Sequence, residues 1–284
     1  MSVASLAGLA VPPLTAALAP IGLDDLVGRT ALLSRVDRKY LVAPQRLPEF
    51  IALLAADPDS TTRVLELEGR REFGYRSVYF DTEHLQLHRA AGQGRRRRCK
   101  VRTRHYLDSD QVWLEVKSRG FRRTSVKQRI ELPDGDPATL GPIGRAFVAD
   151  VMAEHEISGV DPDALVPVLT SSYRRTTLHH RDRARGLESR ITIDTELGFA
   201  TGRGDPEEWV WRHGTSIVEV KAGPATVPAE WLLWRLGSRP VSISKYGAGL
   251  VIARPGTREM KWHRAVDRLN RAQSTTVSGG RAGR

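Results

Sequence analysis

Apolar and polar positions alternate with a period of two along much of this chain, the mark of strands with one apolar and one polar face. In Ser34–Val42 the positions Arg35, Asp37 and Lys39 share a face, with Val36, Arg38 and Tyr40 on the other. Tyr75–Asp81 separates Tyr75, Ser77, Tyr79 and Asp81 from Arg76, Val78 and Phe80. Cys99–Tyr106 puts Lys100, Arg102 and Arg104 opposite Val101 and Thr103. Val112–Lys117 sets Trp113, Glu115 and Lys117 against Val112, Leu114 and Val116, and Thr124–Leu132 sets Lys127, Arg129 and Glu131 against Val126, Ile130 and Leu132. Further on, Arg190, Thr192, Asp194 and Glu196 oppose Ile191, Ile193 and Leu197, while Glu219 and Lys221 alternate with Val218 and Val220.

Helical spacing is confined to a few connecting stretches: Pro48–Ala56, closed by the Asp57-Pro58-Asp59 turn; Asp136 to about Glu156; Pro228–Leu236, with Trp231, Leu232 and Trp234 as its apolar stripe; and a basic Arg258–Asn270. From Gln273 the chain is Ser, Thr, Gly and Arg with little to bury, and is expected to be disordered. The organisation expected is an N-terminal extension over residues 1–30, one strand-rich domain over 31–256, and a basic helix and tail over 257–284. The predicted class is α+β: an antiparallel β-barrel tunnel with a basic lumen and a few flanking helices.

Charged strand faces have two readings. They can be the wet outside of a sandwich, or the inner wall of a closed barrel. Register favours the second. The faces are lopsidedly basic, Lys100, Arg102 and Arg104 repel across gaps of ~7 Å, and Asp37, Glu115, Glu131 and Glu219 each have a cation two positions away. Over the whole chain, 44 Lys and Arg outnumber 33 Asp and Glu in 284 residues, a formal charge of +11. This favours polyanionic partners without choosing among them. Cys99 is the only cysteine, which excludes a disulfide framework and a thiolate metal site within one chain. The first basic residue is Arg29, and no stretch approaches the roughly 18 apolar residues of a membrane span. The expectation is a soluble cytoplasmic protein without a membrane span.

Arg and Lys hold phosphate oxygens by charge-assisted hydrogen bonds. A linear phosphate chain needs such cations repeated along its length, which alternating cations on adjacent strands supply. A glycine-rich phosphate loop is not visible, because Gly92-Gln93-Gly94 runs into Arg95–Arg98. Carboxylates among the cations suit Mg²⁺ or Mn²⁺. Asp81 reads equally as a turn cap and as part of a site. His179 and His180 read as surface residues, Trp209 and Trp211 as packing, and Cys99 as a small core residue.

Nine short motifs follow in order: Arg38-Lys39-Tyr40, Ser77-Val78-Tyr79-Phe80-Asp81-Thr82, Lys100-Val101-Arg102-Thr103-Arg104-His105-Tyr106, Leu114-Glu115-Val116-Lys117, Lys127-Gln128-Arg129, Tyr173-Arg174-Arg175, Arg190-Ile191-Thr192-Ile193-Asp194, Glu219-Val220-Lys221 and Ser244-Lys245-Tyr246. Together they resemble the VTC domain, the polyphosphate-polymerase domain of the vacuolar transporter chaperone complex, within the triphosphate tunnel metalloenzyme (CYTH-like) group. The resemblance covers roughly Ser34 to Ala253. It implies ATP as phosphoryl donor, polyphosphate or triphosphate as guest, and Mn²⁺ or Mg²⁺ as cofactor.

The resemblance also implies roles residue by residue. Phosphate is bound by Lys39, Lys100, Arg102, Arg104, Lys117, Lys127, Arg129, Arg175, Arg190, Lys221 and Lys245. Catalysis falls to Lys39, Arg190, Glu219 and Lys245, and metal binding to Glu219, Glu115 and Asp194. A tripolyphosphatase or nucleoside triphosphatase, and a non-catalytic polyphosphate or nucleotide sensor, are the alternatives. Nucleic acid is disfavoured, since no recognised binding signature is visible. Relatives that hydrolyse nucleotides often start with two glutamates and a lysine on the first strand. Here Arg35-x-Asp37-x-Lys39 replaces one carboxylate by a cation. The expectation is a chain without the membrane segment and the phosphate-sensing domain of the eukaryotic complex, for which translocation would not be its work alone and a membrane-protein partner is an option. Oligomeric state is not legible.

Overall fold

The computed structural model describes residues 14–30, 36–119, 125–132, 136–205 and 208–278. The strands, in chain order, are β1 (Ala19–Ile21), β2 (Val36–Val42), β3 (Ser60–Leu65), β4 (Phe73–Asp81), β5 (Arg98–Tyr106), β6 (Gln111–Arg119), β7 (Ser125–Glu131), β8 (Val166–Asp182), β9 (Leu187–Thr201), β10 (Val210–Arg212) and β11 (Ser216–Ala222). The helices are α1 (Leu23–Thr30), α2 (Leu47–Ala56), α3 (Gln86–Gly92), α4 (Gly141–Glu154), α5 (Pro228–Arg235), α6 (Lys245–Ala253) and α7 (His263–Ser278).

All eleven strands join one sheet with the path β2-β11-β9-β8-β4-β5-β6-β7, to which β3 and β10 are added through β8 and β9. Every pairing is antiparallel except the short one between β1 and β3. The N-terminal stretch therefore contributes a strand to the sheet. The alternating runs become strands because each offers one apolar row to a helix layer. Tyr40, Val42, Leu178, Ile191, Ile193, Val218 and Val220 pack beneath α2 and α5. Val78, Phe80, Cys99, Val101, Leu114 and Val116 pack beneath α4.

Closure of the sheet into a barrel is not made among the described residues. The path ends at β2 and β7, which are not hydrogen-bonded to each other. The outer side of β2 is met by the segment after α5, where the Val241 N–H donates to the Lys39 carbonyl at 2.8 Å. The sheet is nevertheless strongly curled. In a flat sheet β2 and β5 would lie about 24 Å apart, five strand spacings. Yet the charge of Lys39 on β2 acts on Lys100 on β5.

One strand departs from simple alternation. Glu196 has φ of 50°, and the β8/β9 register slips between Ser172 and Arg174. A bulge of this kind moves all later side chains to the opposite face. Leu197 consequently does not join Ile191 and Ile193, as strict alternation predicts. It packs with Phe199, Leu41, Ile217, Tyr246 and Trp262, under α6 and α7. The face that carries Arg190 and Asp194 thus turns apolar at one end, and α6 and α7 cover that end. Helix α7 also runs on to Ser278, past the expected start of a disordered tail. His179 and His180, read as surface residues, are buried, with His180 Nδ1 3.0 Å from the Thr62 hydroxyl.

Candidate anion-binding lumen

The predicted charged rows converge. Register places Glu219 of β11 between Lys39 of β2 and Thr192 of β9, with Lys221 between Asp37 and Arg190 one rung further. Lys39 Nζ donates to Glu219 Oε1 at 2.5 Å, and Lys221 Nζ lies 3.6 Å from the same oxygen and 3.7 Å from Asp37. Across the β8/β9 pair, Arg175 holds Asp194 with two prongs, Nε–Oδ1 at 2.6 Å and Nη2–Oδ2 at 2.9 Å. Lys245 donates to Asp194 Oδ2 and sits 4.2 Å over the Tyr173 ring.

On the facing strands, Arg102 donates through Nε and Nη2 to Glu115 Oε2 at 2.8 and 2.6 Å. Lys127 Nζ reaches Glu115 Oε1 at 3.0 Å, and Arg104 Nη1 stands 3.9 Å from it. Arg129 lies 4.3 Å over the Trp113 ring on the exposed side of β7. Lys117 is exposed and in register between Lys100 and Lys127. Lys100 donates to the Ser244 hydroxyl at 2.8 Å, and that hydroxyl also caps α6 by accepting from the Gly247 N–H at 3.2 Å. A capped helix N-terminus, carrying its partial positive charge, is thus one wall of the lumen. Tyr75, Tyr79 and Tyr173 line the stretch between the two cation groups, with Arg175 5.3 Å from the Tyr75 ring and 5.2 Å from that of Tyr173.

The electrostatics follow from this crowding. Burial opposes charge on Glu115 and Glu219, but Arg102, Arg104 and Lys127 around the first, and Lys221 and Lys39 around the second, hold both well below the usual carboxylate range. Asp194, also opposed by burial, is held at about 2 by Arg175 and Lys245. Burial lowers Lys100 to about 7, and the positive charges of Lys117, Lys261, Arg102 and Lys39 add to the effect.

Seven cations (Lys39, Arg102, Arg104, Lys127, Arg175, Lys221 and Lys245) make ion pairs with only four carboxylates, Asp37, Glu115, Asp194 and Glu219. Lys100 and Lys117 have no carboxylate partner among the described residues. Of the three carboxylates expected to bind metal, Glu115 and Asp194 accept hydrogen bonds from cations at both oxygens, while Glu219 accepts one, from Lys39, at Oε1. Among the described residues, no group of three or more Asp, Glu, His or Cys side chains converges as a metal cage would. Asp81 resolves as a structural cap, accepting from the N–H groups of Thr82, Leu87 and His88 at 2.8 Å each and from the Tyr246 hydroxyl. Arg35 lies outside the described residues.

Sequence reasoning named Ser244 only as part of a motif, read Arg98 within the Arg95–Arg98 run as a solvated loop or strand entry that could attract substrate to the tunnel mouth, placed Lys261 in the basic terminal helix, and passed over Arg119. Arg98 and Arg119 continue the lumen faces of β5 and β6 by one more period-two step, which was the available signal. No signal marked Lys261, because it enters from a distant turn.

No curated protein matches the chain significantly. Among solved structures, the chain is similar to HpAC1 of Hippeastrum, described as an adenylyl cyclase with a dominant triphosphatase activity, at 15% identity and a TM-score of 0.42, covering 75% of this chain and 94% of that one. It is also similar to the PH1012 and PH1819 proteins of Pyrococcus horikoshii OT3. The PH1012 likeness has 9% identity and a TM-score of 0.35, over 72% and 90% of the two chains. The PH1819 likeness has 10% identity and a TM-score of 0.36, over 72% and 92%. The sequence model of the VTC domain matches residues 34–253, most of the strand-rich body and all of the lumen described above. The chain belongs to the VTC domain family.

Proposed function

We propose that this protein binds ATP and polyphosphate in the lumen and transfers the terminal phosphoryl group of ATP onto a growing polyphosphate chain. The observation that carries the reading is the charge imbalance: Arg190 and the nine cations named above, all on facing strands except Lys245 of α6, stand against four carboxylates. A chain with about one negative charge per phosphoryl unit would neutralise that excess along its whole length. In the transfer, the terminal oxygen of the polyphosphate forms a bond to the γ-phosphorus, the bond to the β–γ bridging oxygen breaks, and ADP departs with that oxygen. The protein need supply only alignment and charge neutralisation. Lys39, Arg190 and Lys245 would hold the reacting phosphates from three elements, with Arg102, Arg104 and Arg175 gripping oxygens by their forks.

The donor set fits a hard divalent ion that is held mostly by the substrate. Mg²⁺ is commonly bound through one or two carboxylates plus phosphate oxygens, and Glu219 accepts its hydrogen bond from Lys39 at Oε1 alone. Glu219 would hold the ion, and Glu115 and Asp194 would act as counter-ions for the guanidinium groups. Bound there, Mn²⁺ or Mg²⁺ would offset charge developing on the transferred group.

Incubation of the purified chain with ATP and Mn²⁺ or Mg²⁺, with products resolved by gel, tests the reading. Polymer is expected. Free phosphate alone would replace the polymerase by a triphosphatase, and binding without turnover would replace both by a sensor. Glu219→Gln is expected to lower turnover by roughly 10²–10³ while leaving tripolyphosphate affinity intact, because it removes a negative charge beside the guest.

A further inference from the structure

The lumen does not end at Lys100. One period-two step further, Arg98 at the start of β5 stands in register with Arg119 at the end of β6, and the next rung inward is Lys100 opposite Lys117. Like charges directly opposite one another weaken a sheet, and here two such rungs follow in succession, about 7 Å apart. Lys261 adds a third cation from the turn Met260–Trp262, which belongs to a different part of the chain. Burial lowers the proton affinity of Lys261, as do Arg98 and Arg119; Arg98 is lowered by burial and by Arg119.

Among the described residues, no carboxylate pairs with this cluster. None of Arg98, Arg119 and Lys261 has an ion pair among the described residues; Arg98 and Lys261 donate only to the carbonyls of Arg95 and Ala91. Exposed arginines elsewhere, such as Arg89, Arg96 and Arg258, also make no ion pair among the described residues, but here the cations come from three segments and stand beside one another. Like charges held opposite one another on adjacent strands, with a third cation brought beside them from a distant turn, form an arrangement that an extended anion would bridge. The cluster is also continuous with the lumen, because Lys100 lies within electrostatic reach of both Lys261 outside and Arg102 and Lys39 inside.

We propose that Arg98, Arg119 and Lys261 form a second anion-binding site, beside α6 at the end of the lumen, that holds the part of a long polyphosphate chain lying beyond the units inside. This inference rests on the proposed binding of polyphosphate in the lumen. Its consequence is a chain-length preference. Tripolyphosphate fills the lumen and leaves the outer cations unused, whereas a longer chain engages both.

The test compares binding of tripolyphosphate and of a long-chain polyphosphate to the full chain and to Arg119→Gln/Lys261→Gln, by titration at fixed ionic strength. Loss of two outer cations is expected to weaken the long chain roughly thirtyfold, at about 1 kcal/mol for each cation near an anionic surface, and to change tripolyphosphate less than the long chain by most of that factor. Arg119→Lys/Lys261→Arg, which keeps both charges, should restore most of the long-chain affinity. Removing like charges relieves repulsion, so the Gln variant should unfold at no lower denaturant concentration than the parent. Equal losses for both guests would assign these cations to the lumen itself and overturn the second site. Unchanged affinity for both would overturn it while leaving lumen binding standing. If the parent protein binds neither guest, the proposed function fails, and this inference with it. Selective loss of a single-stranded oligonucleotide would reassign the patch to nucleic acid.

Discussion

Lys100 is where the sequence's charge pattern turns into a measurable property. In the empty lumen burial and its cationic neighbours bring it to about 7, so above that pH it is neutral while the unfolded chain would still carry the proton. With fewer protons bound in the folded state than in the unfolded one, its contribution to stability rises with pH from about 7 towards the ordinary lysine value, about 10.4. A polyanion reverses the bias and restores the proton. Tripolyphosphate affinity is therefore expected to fall as pH rises above 7, by up to about tenfold per unit. Calorimetry at pH 8 in two buffers of different ionisation enthalpy should show proton uptake. Lys100→Arg, which keeps its charge, should abolish both effects; an unchanged pH slope in that variant would remove Lys100 as their source. The alternation in Cys99–Tyr106 identified Lys100 as a lumen residue, but its partner Ser244 lies 144 positions away and only folding brings them together.

Among the elements, α6 does most to shape the lumen and was the least legible. Its Gly247 and Gly249 argue against a helix by propensity. Both are there because partners come close: a Cβ at Gly247 would lie 2.2 Å from the Trp262 ring, and one at Gly249 would lie 2.4 Å from that of Phe199. Gly247→Ala tests this. Propensity alone would stabilise the helix by about 1 kcal/mol, whereas overpacking against a buried ring costs about 1–3 kcal/mol or more. A net loss of stability in chemical denaturation is expected, accompanied by weaker tripolyphosphate binding as Ser244 and Lys245 shift. A stabilised variant would show that Trp262 can move aside. The β9 bulge at Glu196 was likewise invisible, since Asp194-Thr195-Glu196-Leu197 reads as ordinary alternation.

At the scale of the whole molecule, the lumen holds like charges that a bound polyanion would relieve. Tripolyphosphate at about 100 times its dissociation constant should stabilise the fold by about 2.7 kcal/mol. The shift should shrink as salt shortens the screening length from about 10 Å at 0.1 M to about 3 Å at 1 M. Unfolding midpoints at both salt concentrations, with sulfate as a control of equal ionic strength, check this; an equal shift with sulfate would mean that only general screening is at work. Seven of the eleven strands, their charged rows and the family were readable from sequence, because period-two alternation is a local property and the VTC motifs are short and ordered; β1, β3, β8 and β10 were not among the alternating runs. The sequence also determined which cations share a strand face. Whether the sheet closes, where its charged face turns apolar, and which helix end meets the cations were decided only in three dimensions. Each depends on register, curl and packing between segments far apart in the chain, and no local pattern encodes those distances.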